Sequence, residues 1–172
     1  MTPFIVLVVS LLFFRALGAV RIPLFRSWIT SLRWALAVMF LVTASAHFGD
    51  RRPDLVRMVP SSFPDPELLV TLSGVAELLG AAGLLLPRLA PWAATGLALL
   101  LVAVFPANVH AARTGLAIGG VAVTPLVPRA ALQMLFLAAT LVAGFGGRRL
   151  RRERRERRDG SRSGHAEASF EG

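Results

Sequence analysis

The sequence predicts an all-α fold, a bundle of about five transmembrane helices that ends in a strongly basic tail. Hydrophobic residues make up 55% of the chain. The mean hydropathy of +0.63 is well above that of a soluble domain of similar length. The apolar residues fall in runs of roughly 18 to 22, close to the ~20 helical residues that cross a ~30 Å hydrocarbon core. Membrane insertion accounts for both observations.

Two thirds of the net charge of +9 lies in one short segment. Eight arginines and two glutamates between Arg148 and Arg158 give this segment a charge of +6, and the rest of the chain carries +3. The tail, residues 148–172, is too polar to pack and is predicted to be disordered, with a charged helix beside anionic lipid as the alternative for 151–158. We interpret it as a stop-transfer anchor. A basic run without base-reading side chains or an aromatic platform does not indicate nucleic-acid binding.

The first apolar run, Thr2 to Val20, is the shortest and has two interpretations. Its Ala16-Leu17-Gly18 segment is similar to a signal-peptide cleavage site. However, no positively charged segment precedes the run, and the arginines follow it instead. We favour a retained span, and the sequence does not decide whether residues 1–20 are processed.

The other four runs are each bounded by Pro, Gly or charge. They extend over Trp28 to Phe48, Glu67 to Leu86, Leu89 to Ala112, and Arg129 to Phe145. The connection from Gly49 to Pro66 suits an ordered cap, and Arg113 to Pro128 is predicted as a loop. The chain thus divides into an N-terminal transmembrane helix and linker (1–27), a transmembrane core (28–147) and the tail (148–172).

The distribution of arginine predicts the orientation, because basic residues near span ends favour the cytoplasmic side. A cytoplasmic tail and five spans place the N-terminus outside and the Gly49 to Pro66 connection outside. Arg15 then extends towards the cytoplasmic interface. Four spans after removal of a signal peptide would put the basic tail outside, against the charge rule.

Glu77 is the outstanding polar residue within an apolar run, about ten residues into the third span. An ionisable side chain at that depth costs on the order of 3 kcal/mol and therefore needs a partner or a wet cavity. Small residues flank it at helical spacing and mark a helix-packing face. They are Ser73, Gly74, Gly80 and Ala81. Glu77 either joins two helices or lines a polar site, and the sequence leaves both interpretations open.

Further polar residues cluster at one predicted depth, the outer leaflet. His47 closes the second span, Asn108 and His110 close the fourth, and Gln133 lies one turn into the fifth. Single histidines at span ends are often only interfacial residues. Asn108 and His110 are about 200° apart on a regular helix, so both cannot point inward unless Pro106 distorts the helix.

The sequence contains no constellation that would act as an enzyme by itself. Two histidines on different helices could ligate haem, or a metal together with Glu77, but no spacing fixes such a site. Cysteine is absent, so the chain forms no disulfide and supplies no thiolate. Any redox role must come from a cofactor or a partner. The sequence itself requires no cofactor, permits a quinone and disfavours haem and metal.

An ordered series of motifs between Leu32 and Phe145 resembles the DoxX-like family of bacterial membrane proteins. The motifs are Ala46–Phe48, Met58–Pro60, Phe63–Pro64, Ser73–Glu77, Gly83–Pro87, Val104–His110, and Arg129 with Leu132–Gln133. The resemblance implies a four-helix core in the bacterial cytoplasmic membrane, with the first span appended to it. It also implies that His47, Glu77, Asn108 and Gln133 occupy characteristic positions, with His110 just beyond the Pro-Ala-Asn segment.

Three functions are compatible with these observations. The first is an accessory component whose polar cluster binds a lipophilic molecule such as a quinone, or docks a partner. The second is a subunit of a quinone-linked membrane oxidoreductase with a redox partner protein. The third is a transporter or channel for a small solute. The sequence names no substrate, no partner and no oligomeric state.

Overall fold

The computed structural model describes the backbone of residues 2–168 and the side chains of residues 2–147. It confirms the all-α fold class, and five helices are long and apolar enough to cross a membrane. The helices are α1 (Thr2–Ala19), α2 (Trp28–Phe48), α3 (Arg52–Met58), α4 (Pro66–Leu85), α5 (Ala90–Ala103), α6 (Phe105–Thr114) and α7 (Leu126–Ala168). The first three predicted spans agree with these helices to within a single turn at each end. The fourth is divided between α5 and α6, and α7 continues beyond the predicted end of the fifth span.

The core is a ring of four packed helices. In the ring α2 packs on α4, α4 on α5, α5 on α7, and α7 on α2. The largest fully buried side chains come from α2, α4 and α5. They include Leu36, Met39 and Phe40 of α2, Leu84 of α4 and Leu97 of α5. Large apolar side chains on the outer faces are exposed, as expected where lipid covers them.

Helix α1 lies outside this ring and packs on α2. A 3₁₀ turn over Pro23–Arg26 joins the two helices, and its Phe25 ring stacks on Phe14 with centroids 4.8 Å apart. Arg15 Nη1 donates to Phe25 O at 3.1 Å, and its guanidinium lies 4.9 Å from the centre of the Trp28 ring. Backbone carbonyls and an aromatic face thus satisfy this arginine at the end of its span.

The fourth predicted span consists of two helices. α5 ends at Ala103, α6 begins at Phe105, and Pro106 occupies the first turn of α6. Proline lacks a backbone N–H and crowds the preceding turn, so it interrupts a continuous helix. The expected distortion at Pro106 is therefore confirmed, and it sets the direction of the segment that carries Asn108.

Two connections contain structure beyond the sequence expectation. The Gly49 to Pro66 segment includes α3, and the predicted loop from Arg113 to Pro128 contains a two-stranded hairpin, β1 (Ala117–Ile118) and β2 (Val121–Ala122). The hairpin turns through Gly119 and Gly120, both with positive φ. Such paired turns need residues that tolerate left-handed conformations, and the Gly-Gly pair was the overlooked signal.

The backbone of the basic tail differs from the predicted disordered segment. Helix α7 continues without interruption from the fifth span to Ala168. Residues 148–168 contain no proline to end the helix. This backbone corresponds to the charged-helix alternative. The predictions for the side chains of 148–172 and for the backbone of 169–172 fall on positions outside the described residues.

Helix α3 and the hairpin meet at one end of the bundle. Asp54 Oδ2 accepts a hydrogen bond from the Gly119 backbone N–H at 2.7 Å, and Asp54 also pairs with Arg57. These contacts lower the pKa of Asp54 below its ordinary value, the Gly119 hydrogen bond contributing more than Arg57. The connections that follow the second and the fourth span therefore lie together.

The contact between Asp54 and Gly119 is expected to loosen in acid. The folded-state pKa is lowered, so its stabilisation is fully present above the unfolded-state value near 3.8 and is lost as the pH falls through the folded-state value. Hydrogen exchange at the Gly119 amide should accelerate over that acidic range relative to neighbouring amides. Asp54→Asn should remove the pH dependence and Asp50→Asn should retain it. An unchanged pH profile in Asp54→Asn would contradict the assignment.

Candidate functional site

Hydrogen bonds to α4 fix the orientation of the His47 imidazole near the end of α2. His47 Nδ1 lies 2.8 Å from the Val70 carbonyl oxygen and 3.1 Å from Ser73 Oγ. A carbonyl oxygen can only accept, so we assign the proton to Nδ1 in the neutral ring. Ser73 donates to the same carbonyl at 2.9 Å. The lone pair on His47 Nε2 is left free and faces Glu77.

Glu77 lies between His47 and a hydroxyl of α2. Its Oε1 is 3.8 Å from His47 Nε2, and its Oε2 accepts a hydrogen bond from Thr43 Oγ1 at 2.7 Å. The side chains of His47 and Glu77 are only 13% and 14% exposed. The Nε2–Oε1 separation exceeds hydrogen-bond length, so each atom has unused capacity towards the other or towards a third group. We call His47 and Glu77 the acid–base pair.

The close approach of α2 and α4 makes this geometry possible. A Cβ atom added at Gly74 would lie 2.7 Å from the His47 Cβ and 2.9 Å from the Phe48 ring. Thr43 and His47 are one turn apart on α2, and Ser73 and Glu77 are one turn apart on α4. Two polar i,i+4 pairs therefore face each other across a contact that only glycine permits.

Arg52 of α3 fixes the ends of these two helices. Its Nη1 donates to the His47 carbonyl at 3.1 Å, while Nη2 donates to Thr71 Oγ1 at 2.9 Å and to the Glu67 carbonyl at 3.2 Å. A cation at the C-terminus of α2 is also favourable for the helix dipole. Arg52 is therefore a positioning residue for the acid–base pair.

The remaining predicted residues form a separate polar group on α5, α6 and α7. Asn108 Oδ1 accepts from Arg129 Nη1 at 2.6 Å, and Gln133 Nε2 donates to the carbonyl of Leu101. Gln133 is 7% exposed. Within the described side chains, no hydrogen bond or ion pair joins this group to the acid–base pair. Three of the four residues expected to share a depth, His47, Asn108 and Gln133, thus make separate contacts.

His110 makes no side-chain hydrogen bond to any residue that the structure describes. Its backbone carbonyl accepts from Thr114 Oγ1 at 2.8 Å. The helical wheel predicted that Asn108 and His110 diverge, and only Asn108 takes part in the polar contact with α7. We therefore leave His110 outside both groups.

The predicted small-residue face of α4 serves two neighbours instead of one. Ser73 and Gly74 lie against α2, as described above. A Cβ at Gly80 would lie 2.4 Å from Leu97 of α5, and Ala81 is buried at 1% exposure. Six residues separate Gly74 from Gly80, which is about 240° of rotation, so the two glycines point to different partners.

Sequence reasoning missed three residues as members of these groups. Thr43 lies one turn before His47, and Arg129 one turn before Gln133, so helical spacing from a polar residue could have identified both. Arg52 lies in a charged connection, where no periodic pattern distinguishes it from its neighbours. Its role depends on the path of α3, which the sequence does not specify.

The chemistry available here is exchange of a hydrogen bond or a proton. The acid–base pair holds one imidazole nitrogen and one carboxyl group in a largely buried position, next to a hydroxyl donor. Such groups can bind a polar oxygen and transfer a proton to or from it. In the described part of the chain, no set of three or more His, Asp or Glu side chains is placed to hold a metal ion.

Comparisons with known proteins give one match. A family model described as a domain of unknown function, DUF8561, matches residues 36–144, which is more than half of the chain. The match covers α4 and α5 completely, α2 and α7 in part, and both polar groups, and it excludes α1 and the basic tail. Neither the curated proteins nor the solved structures contain a match to this chain.

Proposed function

We propose that this chain, which belongs to the DUF8561 family, is an accessory membrane protein that binds a lipophilic molecule through a polar oxygen group. The observation that carries the proposal is the acid–base pair, with Nε2 and Oε1 3.8 Å apart and each side chain largely buried. Placing an ionisable side chain inside a membrane costs free energy, and a ligand that hydrogen-bonds to both His47 and Glu77 would offset that cost. A quinone in its reduced, quinol form is our first candidate, because its hydroxyl group can donate a hydrogen bond to His47 Nε2 or to Glu77 and its ring and tail are apolar.

The bacterial cytoplasmic membrane is the proposed location, with the N-terminus outside and the C-terminus inside. The arginine distribution supports this orientation. Under it the acid–base pair lies in the outer leaflet, at a depth that a lipid-dissolved ligand reaches. The resemblance to DoxX-like proteins favours the same location. This resemblance stays a prediction, because the family model that matches the chain is DUF8561.

Binding of a labelled short-chain quinol, decylubiquinol, to the purified protein under anaerobic conditions tests the proposal. We expect Glu77→Gln and His47→Ala each to weaken binding by about tenfold. Loss of one hydrogen bond to a charged group, about 1.5 kcal/mol, changes Kd by about that factor. Glu67→Gln is the matched control, since it removes a carboxylate from the exposed first turn of the same helix.

Analysis of co-purified lipids completes the test. Protein extracted from its native membrane should carry a lipophilic molecule that Glu77→Gln loses and Glu67→Gln retains. Absence of any such molecule, together with equal decylubiquinol binding in all variants, would overturn the proposal.

A second candidate is a subunit of a quinone-linked oxidoreductase. The free lone pair of His47 Nε2 favours it, because that atom could take a proton from a bound quinol. The electron acceptor would have to be a cofactor or a partner protein, since this chain has no cysteine. Quinone binding without any reduction or oxidation in the presence of native membranes would exclude this role and leave the binding function.

Transport of a small solute is a third candidate, supported by one feature. The fourth span is broken between Ala103 and Phe105, and discontinuous helices often line the sites of transporters. The acid–base pair lies between α2 and α4, however, and not at this break. The geometry therefore favours binding over conduction.

A further inference from the structure

We propose that Arg129 and Asn108 form a binding site for an anionic oxygen group, either a phosphate or a carboxylate. This site is separate from the acid–base pair and does not depend on the function proposed for it. Arg129 lies in the first turns of α7 and Asn108 in α6, so the site is between two helices of the core. Both lie in segments apolar enough to span a membrane.

The guanidinium of Arg129 has no carboxylate partner in the described part of the chain. Within 4.0 Å the structure pairs His47 with Glu77 and Arg57 with Asp54, and no described acidic side chain reaches Arg129. Its Nη1 donates to a neutral amide oxygen, and its buried Nε has no hydrogen-bond acceptor. A buried donor without an acceptor is unfavourable, and a buried charge without a counter-charge is more so.

Two other intramembrane arginines show how this chain satisfies a guanidinium internally. Arg33 Nε donates to the Ala143 carbonyl at 2.8 Å, and Arg15 donates to Phe25 O at 3.1 Å and stacks over Trp28. Among the residues that the structure describes, Arg129 has no equivalent backbone acceptor. The difference identifies Arg129 as the arginine whose hydrogen-bonding capacity is left for a ligand.

Asn108 adds donors to the same place. Arginine has no acceptor, so the atom of Asn108 that faces Nη1 must be the carbonyl oxygen. The amide nitrogen, bonded to the same carbon, then keeps two N–H groups beside the guanidinium. That nitrogen makes no hydrogen bond within the described residues. A guanidinium and an amide N–H together suit an acceptor that has several lone pairs and a negative charge.

The position of the site fits two sources of such a group. Helix α6 contacts α3, which caps the end of the bundle, so Arg129 and Asn108 lie near a predicted membrane–water interface. Lipid phosphates occupy that depth, and a water-soluble anion also reaches it. The recognition chemistry is the same for both, and the experiment separates them.

The test measures the thermal unfolding midpoint of the full-length protein in an uncharged detergent. Phosphatidylglycerol, uncharged dioleoylglycerol and sodium phosphate are added in separate titrations. Arginines of the tail attract anionic lipid in every variant, so the contribution of the site is the difference between variants. At about ten times the dissociation constant, the site should add about 4 °C to the midpoint.

Asn108→Asp is the decisive variant. It places a carboxylate against Arg129, and this carboxylate supplies the counter-charge that an added anion would otherwise supply. The additional rise of about 4 °C should therefore disappear, while the contact between α6 and α7 remains. Arg129→Gln should lose the same increment, and the exposed Arg113→Gln at the end of α6 should keep it.

The titrations distinguish the two sources of the anion and can also overturn the proposal. A site-specific rise with phosphatidylglycerol alone identifies a lipid headgroup, and an equal rise with sodium phosphate identifies a soluble anion. The proposal is overturned if neither anion raises the wild-type midpoint, or if Asn108→Asp responds as the wild type does.

Discussion

Gly144→Val is expected to destabilise the bundle by about 3 kcal/mol, near the upper end of the usual cost of overpacking. A Cβ at Gly144 would lie 2.4 Å from the Cβ of Ala94 and 3.3 Å from the carbonyl oxygen of Ala90. Real Cβ atoms do not approach other atoms below about 3.0 Å. Neither neighbour is the end of a flexible side chain, so α5 and α7 must separate and lose contacts along their length.

The matched control for this substitution is Gly96→Val on α5. A Cβ at Gly96 meets nothing within 4 Å. The free energy of unfolding of this variant should differ from that of the wild type by no more than about 0.5 kcal/mol, as for most exposed substitutions. Unfolding of both variants in mixed micelles of increasing sodium dodecyl sulfate content, followed by tryptophan fluorescence, measures the difference. Equal midpoints for the two variants would show that α5 and α7 do not pack through Gly144.

Gly144 also shows which part of the fold the sequence could not predict. The number and position of the spans follow from the thickness of the bilayer, because a crossing helix must keep about 20 residues apolar. Which face of each helix meets its neighbour does not follow in the same way. Lipid and protein interior are both apolar, so hydropathy does not distinguish them. Gly144 and Ala94 therefore remained unrecognised as a contact.

The candidate site was predicted in part for a related reason. Position along a span gives the depth of a residue, which is how His47 and Glu77 were selected as polar residues of two spans, and their side chains lie 3.8 Å apart. Depth does not give rotation about the helix axis. Asn108 and Gln133 were assigned to the same cluster by depth, yet their hydrogen bonds are with Arg129 and with the Leu101 carbonyl.

Hydrogen-bond partners one turn away would have improved the prediction. Thr43 precedes His47 by four residues, and Arg129 precedes Gln133 by four, so each shares a helix face with a residue already selected. Arg52 is a different case. Its three acceptors come from α2 and α4, and only the path of α3 between those helices brings them together.

Thr43→Val tests the hydroxyl that supports Glu77 and is expected to destabilise the protein by about 2 kcal/mol. Thr43 Oγ1 donates to Glu77 Oε2 at 2.7 Å, and a hydrogen bond to a charged group is worth about 1.5–3 kcal/mol. Valine nearly preserves the shape of threonine and removes only the donor. The Glu77 side chain is only 14% exposed, so bulk water would not replace the hydrogen bond that its carboxylate loses.

A double-mutant cycle with Glu77→Gln separates this interaction from the packing of Thr43. In the Glu77→Gln background the charge is absent, so Thr43→Val should cost at least about 1 kcal/mol less than in the wild type. Thr95→Val is the matched control, because the Thr95 hydroxyl bonds only to the Pro91 carbonyl one turn earlier on α5. Its cost should stay within about 0.5 kcal/mol in both backgrounds.

The size of the coupling energy between Thr43 and Glu77 also reports whether Glu77 carries a proton. Thr43 Oγ1 lies 3.0 Å from the Phe40 carbonyl, so the hydroxyl can donate there while it accepts from a protonated Glu77. In that state the interaction is between neutral groups, and the coupling should fall to about 0.5 kcal/mol. A coupling above 1 kcal/mol near neutral pH that declines in acid would therefore indicate an ionised Glu77 opposite His47. A coupling of zero at every pH would remove Thr43 from the site.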